Sequence, residues 1–252
     1  MKIKIIASGS KGNSTYVETK SKKFLIDMGI TYQNLANELD KINVSPKDLD
    51  FILITHTHSD HIKGLQSLVR KTNLNVYITE EMFDDLKEKI PLSNLKYLTD
   101  SFEIDDLEIS IIHTSHDVDS VGYIITNDKN SFVYITDTGY VNQKYYDILK
   151  NKSLYIIESN HDEEMLMNGP YPYVLKQRVI GDKGHLSNHA TGKLLAELVG
   201  PNTKKIVLAH ISEHNNTEDL AYDTVNQILK KHNIEKQIEV AKQHESLETI
   251  EL

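Results

Sequence analysis

Four side chains that can bind metal ions lie within six consecutive positions of the sequence. The segment ILITHTHSDHIKG is a short apolar run followed by His56, His58, Asp60 and His61. Imidazole nitrogens and carboxylate oxygens are ligands that suit Zn²⁺ and other first-row divalent ions. A lone histidine is most often a solvated polar residue, but four such groups so close together favour a metal site over a polar surface loop.

The spacing of these four residues indicates more than one metal ion. Side chains alternate along a strand, so His56 and His58 can point to the same side where the apolar run ends. Asp60 and His61 follow at the start of the next turn or helix and can reach the same pocket from another direction. Because adjacent residues do not easily share one ion with both histidines, the sequence predicts two divalent metal ions.

Further candidate ligands follow three later apolar segments. These are His116, Asp137 and His210, each placed shortly after a predicted strand. Polar residues at strand ends are what a metal cleft at one edge of a sheet requires. Taken singly, a histidine after a strand is more often a surface residue, and Asp-Thr-Gly is often only a turn. Together with residues 56–61, their order makes a metal site the stronger interpretation.

The elements that must position these residues alternate between strands and helices. Hydrophobic periodicity and turn residues predict strands at 2–8, 14–19, 22–29, 51–55, 75–79, 107–113, 121–126, 131–136, 154–159, 205–209 and 237–241. The same signals predict helices at 31–42, 64–72, 80–90, 142–150, 172–180, 188–199 and 217–232. No linker separates two parts, so we expect one α/β domain with two sheets over residues 1–252.

Composition limits the classes of protein to which the chain can belong. Apolar residues make up 39% and charged residues 26% of the 252 residues, and there is no cysteine, which excludes disulfides and thiolate metal ligands. No segment approaches the ~18 apolar residues of a membrane helix, and the basic start lacks the apolar core of a secretory signal. We therefore expect a cytoplasmic protein with no membrane partner.

The net charge of −9 argues against a surface that coats nucleic acid indiscriminately. It does not exclude a nuclease, since bound metal cations supply positive charge locally.

The candidate ligands taken together resemble a known family. His56-x-His58-x-Asp60-His61, followed by His116, Asp137 and His210, looks like the full ligand set of the metallo-β-lactamase fold superfamily. The resemblance covers essentially the whole chain, from the FLIDMG segment to LAHIS. It implies a four-layer αββα sandwich with the metal ions in the cleft between the sheet edges.

The resemblance also implies how the ligands are shared. His56, His58 and His116 would hold one ion, while Asp60, His61 and His210 would hold the other and Asp137 would bridge both. Asp27 matches a carboxylate that supports a metal ligand, and His113 is left to the strand or to a supporting role. We expect Zn²⁺, with Mn²⁺ or Fe as alternatives, because nitrogen and carboxylate ligands admit all three.

Five shorter segments, SGSKGNSTYVE, TSHD, ESNHDEEML, GDKGHLSN and LAHISEHNN, look like the YycJ/WalJ-type branch of the superfamily. That branch resembles DNA- and RNA-processing phosphodiesterases and is associated with DNA exonuclease activity. The resemblance thus implies an exonuclease-like phosphodiesterase that acts on nucleic acid, on DNA rather than RNA, through a hydroxide activated by two metal ions. Asp60 could orient the attacking water or take its proton.

The segment GHLSNHA carries the main clue to the substrate. Gly184 permits a close backbone approach, and Ser187 or Asn188 can cap the helix that follows. A helix N-terminus favours a phosphate, and His185 would then contact the scissile phosphate or protonate the leaving oxygen. The alternative interpretation is a plain helix start with an incidental histidine.

Other positions leave two interpretations open. Asn160 and His161 either line the cleft and bind substrate or form structural hydrogen bonds. The SGSKGNS segment either offers N–H groups and Lys11 to a phosphate or is only a hairpin turn. Tyr171 and Tyr173 either stack on a base or pack in a core or dimer interface.

The remaining polar positions are interpreted as solvated surface or caps. The acidic run at 158–164 is expected to be a solvated face, and residues 214–216 a polar helix cap. His189, His232 and His244 are expected at the surface.

Two other functions remain open beside the nuclease. The same ligands could serve a hydrolase of a small ester, thioester or lactone, or the fold could belong to a non-catalytic binding protein. The complete ligand set argues against the binding protein, and His185 favours the nuclease over the small-molecule hydrolase. The interval between Asp137 and His210 is too short for an inserted domain, so substrate must be gripped by the cleft rim or by a homo-oligomer.

Overall fold

A computed structural model describes residues 1–128, 130–243 and 245–252, and among these residues the strands form two seven-stranded mixed sheets. The first sheet has the order β14-β1-β2-β3-β4-β5-β6, in which β3 to β6 run parallel. Its strands are β1 (Lys2–Ala7), β2 (Ser14–Glu18), β3 (Lys23–Ile26), β4 (Phe51–Leu53), β5 (Asn75–Ile78), β6 (Leu95–Tyr97) and β14 (Ile250–Glu251).

The second sheet has the order β13-β12-β11-β10-β9-β8-β7, in which β10 to β13 run parallel. Its strands are β7 (Ser101–Ile104), β8 (Leu107–His113), β9 (Val121–Asn127), β10 (Asn130–Ile135), β11 (Leu154–Glu158), β12 (Lys205–Ala209) and β13 (Gln237–Val240). The helices are α1 (Tyr32–Asp40), α2 (Ser59–Ile62), α3 (Leu65–Thr72), α4 (Phe83–Leu86), α5 (Tyr146–Leu149), α6 (Glu163–Asn168), α7 (Tyr173–Ile180), α8 (Asn188–Leu198) and α9 (Glu218–Lys231).

The alternation of side chains along the strands builds four layers. In β9, Tyr123 and Ile125 enter the core shared by the two sheets, whereas Ile124 between them packs into a second core with α8 and α9. Leu35 of α1 and Leu68 of α3 join the core on the far side of the first sheet. The result is an αββα sandwich, which confirms the expected fold.

Polar residues of the candidate site follow the carboxyl ends of parallel strands in both sheets. Carboxyl ends of parallel strands meet at one edge of a sheet, and the loops that follow them are the usual place for binding groups. Here β3 and β4 of the first sheet lead to candidate ligands, as do β10 and β12 of the second. The buried Tyr123 hydroxyl ties the two sheets together by donating to the backbone carbonyl of Ile54, at 2.5 Å.

Some predicted elements were wrong or incomplete. The helix expected at 80–90 is reduced to the four residues of α4. The short strands β6, β7 and β14 were missed, because only Ile250 among their residues is buried and they form no apolar run. Among the described residues, none of the helices combines the length and the apolarity needed to cross a membrane. The single domain and the cytoplasmic location stay predictions.

Candidate metal centre

Three residues at strand ends place carboxylate or imidazole groups in the cleft through unusual backbone angles. Asp27 follows β3 with φ 61°, Asp137 follows β10 with φ 54°, and His210 follows β12 with φ 55°. Positive φ is uncommon for residues other than glycine and tends to occur where function requires a particular side-chain direction. The positive φ changes the direction of the chain where each strand ends, and the side chains of all three residues contact candidate metal ligands.

One group of candidate ligands consists of three histidines. His56 and His58 follow β4, His116 follows β8, and one ligand atom from each lies within 4.8 Å of the others. The Nε2 atom of His56 and the Nδ1 atom of His116 are buried and have no hydrogen-bond partner. A buried nitrogen without a partner is costly, and a metal ion would satisfy it.

A second group lies beside the first and contains Asp60, His61 and His210. The Oδ2 atom of Asp60 is 3.6 Å from Nε2 of His61 and 3.7 Å from Nε2 of His210. This Nε2 of His210 is also buried without a hydrogen bond. Two of these ligands come from α2 and the third follows β12, so the site depends on both sheets.

Asp137 lies between the two groups. Its Oδ2 atom is 3.2 Å from Nε2 of His61, and its Oδ1 atom is 3.5 Å from Nε2 of His210. Burial by itself would raise its pKa, but His210 and His61 outweigh that effect and lower the pKa of Asp137 well below its usual range. The carboxylate is therefore charged, and one of its oxygens also lies within 4.8 Å of a ring nitrogen of His56 in the first group. This donor set fits two divalent ions, and the assignment of individual ligands to each ion stays a prediction that the geometry supports.

Asp27 holds His61 in one orientation. Its Oδ2 atom lies 2.7 Å from Nδ1 of His61 and accepts a hydrogen bond from the Thr55 hydroxyl at 2.7 Å, while Oδ1 accepts from the Thr55 backbone N–H at 2.8 Å. With Nδ1–H donating to a carboxylate, the lone pair of Nε2 faces the cleft. Burial lowers the pKa of His61, but Asp27 and Asp137 outweigh it and raise that pKa to about 10. A proton and a metal ion thus compete for Nε2.

Glu158, which the sequence analysis assigned to a solvated acidic run, is fully buried at the end of β11. Its Oε1 atom is 2.8 Å from Nδ1 of His185 and 2.9 Å from Nδ1 of His210, while Oε2 accepts from the backbone N–H groups of Thr138 and Leu186. Burial would raise its pKa, but the two imidazoles outweigh burial and lower the pKa to about 2. The sequence signal that could have revealed it is its position in the last part of the predicted apolar strand 154–159, since Asp137 and His210 also lie at strand ends.

His185, which was predicted to contact the substrate, lies beside the candidate metal ligands. Its ring stacks on that of His210 with centroids 5.4 Å apart and lies 5.5 Å from that of His116. The Glu158 carboxylate outweighs the effect of burial and raises the pKa of His185. Because Nδ1 is engaged by Glu158, Nε2 is the nitrogen left for a substrate. The backbone at Gly184 packs so closely against the end of α7 that a side chain would meet the Val179 carbonyl.

The structure gives Ser187 and Asn188 partners within the protein. The Ser187 hydroxyl caps α8 by accepting from the Ala190 N–H and also donates to Glu163. The amide of Asn188 is 1% exposed and bonds to Ser159 and Asn216. A carboxylate thus already occupies this helix N-terminus, which disfavours a phosphate there. Substrate roles for both residues stay predictions without geometric support.

Asn160 and His161 are also buried rather than displayed in the cleft. The amide of Asn160 donates to the backbone carbonyl of His210 at 3.0 Å and lies 3.4 Å from its Nδ1, so it supports a candidate ligand. His161 is 1% exposed, and its backbone carbonyl accepts from the Asn188 N–H. These contacts favour the structural interpretation that the sequence left open, and a substrate role stays untested.

Burial of His161 leads to a prediction about stability at acid pH. Burial lowers the pKa of His161 to about 4, so the folded protein keeps the ring neutral while the unfolded chain protonates it near pH 6.5. Because the unfolded chain takes up a proton that the folded protein does not, the free energy of unfolding is highest above pH 6.5 and falls as pH drops towards 4. We expect the metal-free protein to lose up to about 3 kcal/mol over this interval through His161.

Urea unfolding of metal-free protein at pH 7.5 and pH 4.5 measures this loss. His161→Phe should lose less free energy of unfolding over that interval than the wild type, whereas His232→Phe, at an exposed position, should lose as much as the wild type. An equal pH dependence in His161→Phe and the wild type would contradict the prediction. His189 and His232 are exposed as expected, and His244 lies outside the described residues.

The SGSKGNS segment is both a hairpin turn and a neighbour of the candidate ligands. It joins β1 to β2, and Asn13 at its end is fully buried. The Asn13 backbone N–H donates to the carbonyl of Asp60 at 2.7 Å, and its Nδ2 lies 2.9 Å from Nε2 of His61. Lys11 pairs with Glu213 at 2.7 Å across the cleft rim. Asn13 is a supporting residue that sequence reasoning missed.

The chain matches a known family model and has named relatives. Residues 22–211 match the model described as "Beta-lactamase superfamily domain". The chain is 43% identical over 242 residues to "Exodeoxyribonuclease WalJ" from Streptococcus pneumoniae serotype 2, covering 90% of this chain and 88% of that protein. It is 36% identical over 233 residues to "Exodeoxyribonuclease YycJ" from Bacillus anthracis, with the same coverage of both chains.

Solved structures agree on the fold. The metallo-β-lactamase fold protein YhfI from Bacillus subtilis superposes with a TM-score of 0.75 at 17% identity, covering 98% of each chain. At that identity the likeness shows the architecture alone. The family match and the relatives together show that this chain is a metal-dependent hydrolase of the beta-lactamase superfamily and belongs to its WalJ/YycJ family.

Proposed function

We propose that this protein is an exodeoxyribonuclease that hydrolyses phosphodiester bonds at two divalent metal ions. The observation that supports it is the combination of relatives named exodeoxyribonucleases over 90% of the chain with a cluster of imidazole and carboxylate donors, most of them buried. The same relatives favour DNA over a small ester, thioester or lactone. Zn²⁺ is the proposed metal because nitrogen donors predominate, with Mn²⁺ and Fe as alternatives.

The donors divide into two proposed metal positions that share one carboxylate. The first consists of His56, His58 and His116, the second of Asp60, His61 and His210, with Asp137 contributing to both. Two ions held by these residues would supply Lewis acidity, which would lower the pKa of a water and stabilise negative charge on the phosphate oxygens. They also offset the charge of −9 that would repel an anionic substrate.

The protein's own residues supply proton transfer. The Asp60 carboxylate is 21% exposed and can accept a proton from the attacking water. On the leaving side, Glu158 accepts from Nδ1 of His185 and raises the pKa of that ring. This hydrogen bond also fixes the orientation of the ring, so Nε2 is placed to contact the scissile phosphate or to donate a proton to the leaving oxygen.

A nuclease assay with defined metals tests the proposal. Chelated protein is reloaded separately with Zn²⁺, Mn²⁺ or Fe²⁺ and mixed with end-labelled single- and double-stranded DNA, with RNA and with an acyl ester. We expect nucleotides to be released progressively from a DNA end, with slower release from RNA and no acyl ester hydrolysis.

Asp60→Ala, purified in parallel, is the control for a contaminating nuclease and should release no nucleotide. Metal-loaded wild type that leaves both nucleic acids intact but cleaves the acyl ester would replace the proposal by the small-molecule hydrolase. Size measurement of the same samples tests the homo-oligomer expected as an alternative means of gripping substrate.

A further inference from the structure

Helix α7 presents an unusual face at the rim of the metal centre. None of its eight residues is buried, and Tyr173 and Val174 are 69% and 81% exposed. At 3.6 residues per turn, Tyr173, Val174, Gln177 and Arg178 share one continuous face of about 140°. A large exposed tyrosine and valine on one helix face indicate a surface that binds something.

Arg178 connects this face to the candidate ligands. Its guanidinium pairs with Oδ2 of Asp117, and Oδ1 of the same carboxylate lies 3.2 Å from Nε2 of His58 and 3.3 Å from Nε2 of His116. The arginine side chain is still 62% exposed. Asp117 therefore holds the planar guanidinium of Arg178 beside two candidate metal ligands, close to the place where a scissile phosphate would bind.

The charge of the segment complements an anion. Residues 173–185 include three basic residues, Lys176, Arg178 and Lys183, and one acidic residue, Asp182. The net charge of the whole chain is −9. Tyr173 and Arg178 are five residues apart, about 7.5 Å along the helix axis and about 140° around it, so they stand at the two edges of the exposed face. An interface between two copies would not need a cation beside the candidate metal ligands.

We infer that the exposed face of α7 is the docking surface for a single-stranded DNA end, in which Arg178 pairs with a backbone phosphate and Tyr173 stacks on a base. The inference rests on the proposed function and adds the residues that grip the substrate. Positively charged grooves with exposed aromatic rings bind single strands in this way without reading sequence. The surface would hold the strand while its end lies at the metal centre.

Kinetics on two substrates test this surface. The wild type, Tyr173→Ala, Tyr173→Phe and Arg178→Ala are compared on end-labelled single-stranded DNA and on bis(p-nitrophenyl) phosphate, which has no strand beyond its one phosphodiester group. We expect Tyr173→Ala to raise KM for DNA about tenfold and Tyr173→Phe to remain near the wild type, because the ring is retained. Arg178→Ala should also flatten the dependence of log KM on log salt by about 0.7, the effect of one lost phosphate contact.

The matched controls are Tyr222→Ala on α9 and Arg70→Ala on α3, which carries the other arginine of the chain. Both positions are exposed, and both variants should keep the KM of the wild type for DNA. Metal content, measured for every variant, shows whether Arg178→Ala has disturbed the ligands beside Asp117.

The outcomes separate this inference from the proposed function. Wild-type protein that degrades no DNA would contradict the nuclease itself. Active wild type with unchanged KM and salt dependence in both Tyr173→Ala and Arg178→Ala would overturn the docking surface alone. Conversion of an oligomer to monomers by Tyr173→Ala, with KM for DNA unchanged, would overturn it as well and identify the face as an interface between copies.

Discussion

Replacing Asp137 by asparagine is expected to lower phosphodiester hydrolysis by about a thousandfold and to reduce bound metal from two ions per chain to one or fewer. The carboxylate lies 3.2 Å from His61 and 3.5 Å from His210 of one ligand group, and a carboxylate oxygen lies within 4.8 Å of a ring nitrogen of His56 in the other. An amide has nearly the same size but carries no charge, so it would neither offset two cations nor donate two equivalent oxygens. Elemental analysis and hydrolysis of a small phosphodiester measure the two effects.

Asp106→Asn is the matched control for this change. Asp106 also accepts hydrogen bonds, among them one from the Thr19 hydroxyl at 3.2 Å, but it lies in the turn before β8, at the opposite end of that strand from His116. It should keep both ions and the wild-type rate. Retention of two ions and full activity by Asp137→Asn would remove Asp137 from the metal centre.

Replacing Glu158 by glutamine is expected to cost about 10- to 100-fold in activity, because residues that orient metal ligands have effects of that size. Four donors converge on the carboxylate, two imidazoles on Oε1 and the N–H groups of Thr138 and Leu186 on Oε2. A glutamine side chain must turn its own NH₂ group towards one of these pairs. The buried donors left without an acceptor should also lower the free energy of unfolding by about 2–4 kcal/mol.

The pH dependence of unfolding gives Glu158 a distinct signature. Its pKa is lowered to about 2 in the folded protein, against about 4.5 for an ordinary glutamate. The stability that its ionised form contributes is therefore complete above pH 4.5 and lost as pH falls towards 2. Urea unfolding of metal-free Glu158→Gln should show a shallower fall over this range than the wild type.

Glu245→Gln is the control, since Glu245 is 70% exposed and pairs with Lys242 at 2.9 Å on the surface. Surface ion pairs contribute about 0–1 kcal/mol, so this variant should differ little from the wild type in stability or rate. An acid dependence of Glu158→Gln equal to that of the wild type, together with an unchanged rate, would contradict the role assigned to Glu158.

Several features could be predicted from the sequence because they depend on local patterns. Period-two apolar runs located the main strands, and the polar residues directly after them located His56, Asp137 and His210. A side chain one or two positions beyond a strand end has few directions available, so its type and position already indicate a site. The ligand types also restricted the chemistry to divalent metals without thiolates.

Other features depend on which strands become neighbours, and no local pattern records that. Glu158 belongs to an acidic run in the sequence, yet the parallel pairing of β11 with β10 and β12 surrounds it with two imidazoles. The N-terminus of α8 looked open to a phosphate until the fold brought Glu163 against Ser187.

The residue pattern alone was enough to predict two sheets with helices around them, the donor types and the order of the candidate ligands, while the αββα arrangement followed from the resemblance to the superfamily. The pairing of distant strands brings these donors together, buries Glu158 and leaves α7 exposed with Arg178 beside the candidate ligands. The physical reason is that hydrophobic periodicity depends on neighbouring residues and shows only which face of a strand or helix is buried. Charge pairing and desolvation depend on elements that are distant in the sequence.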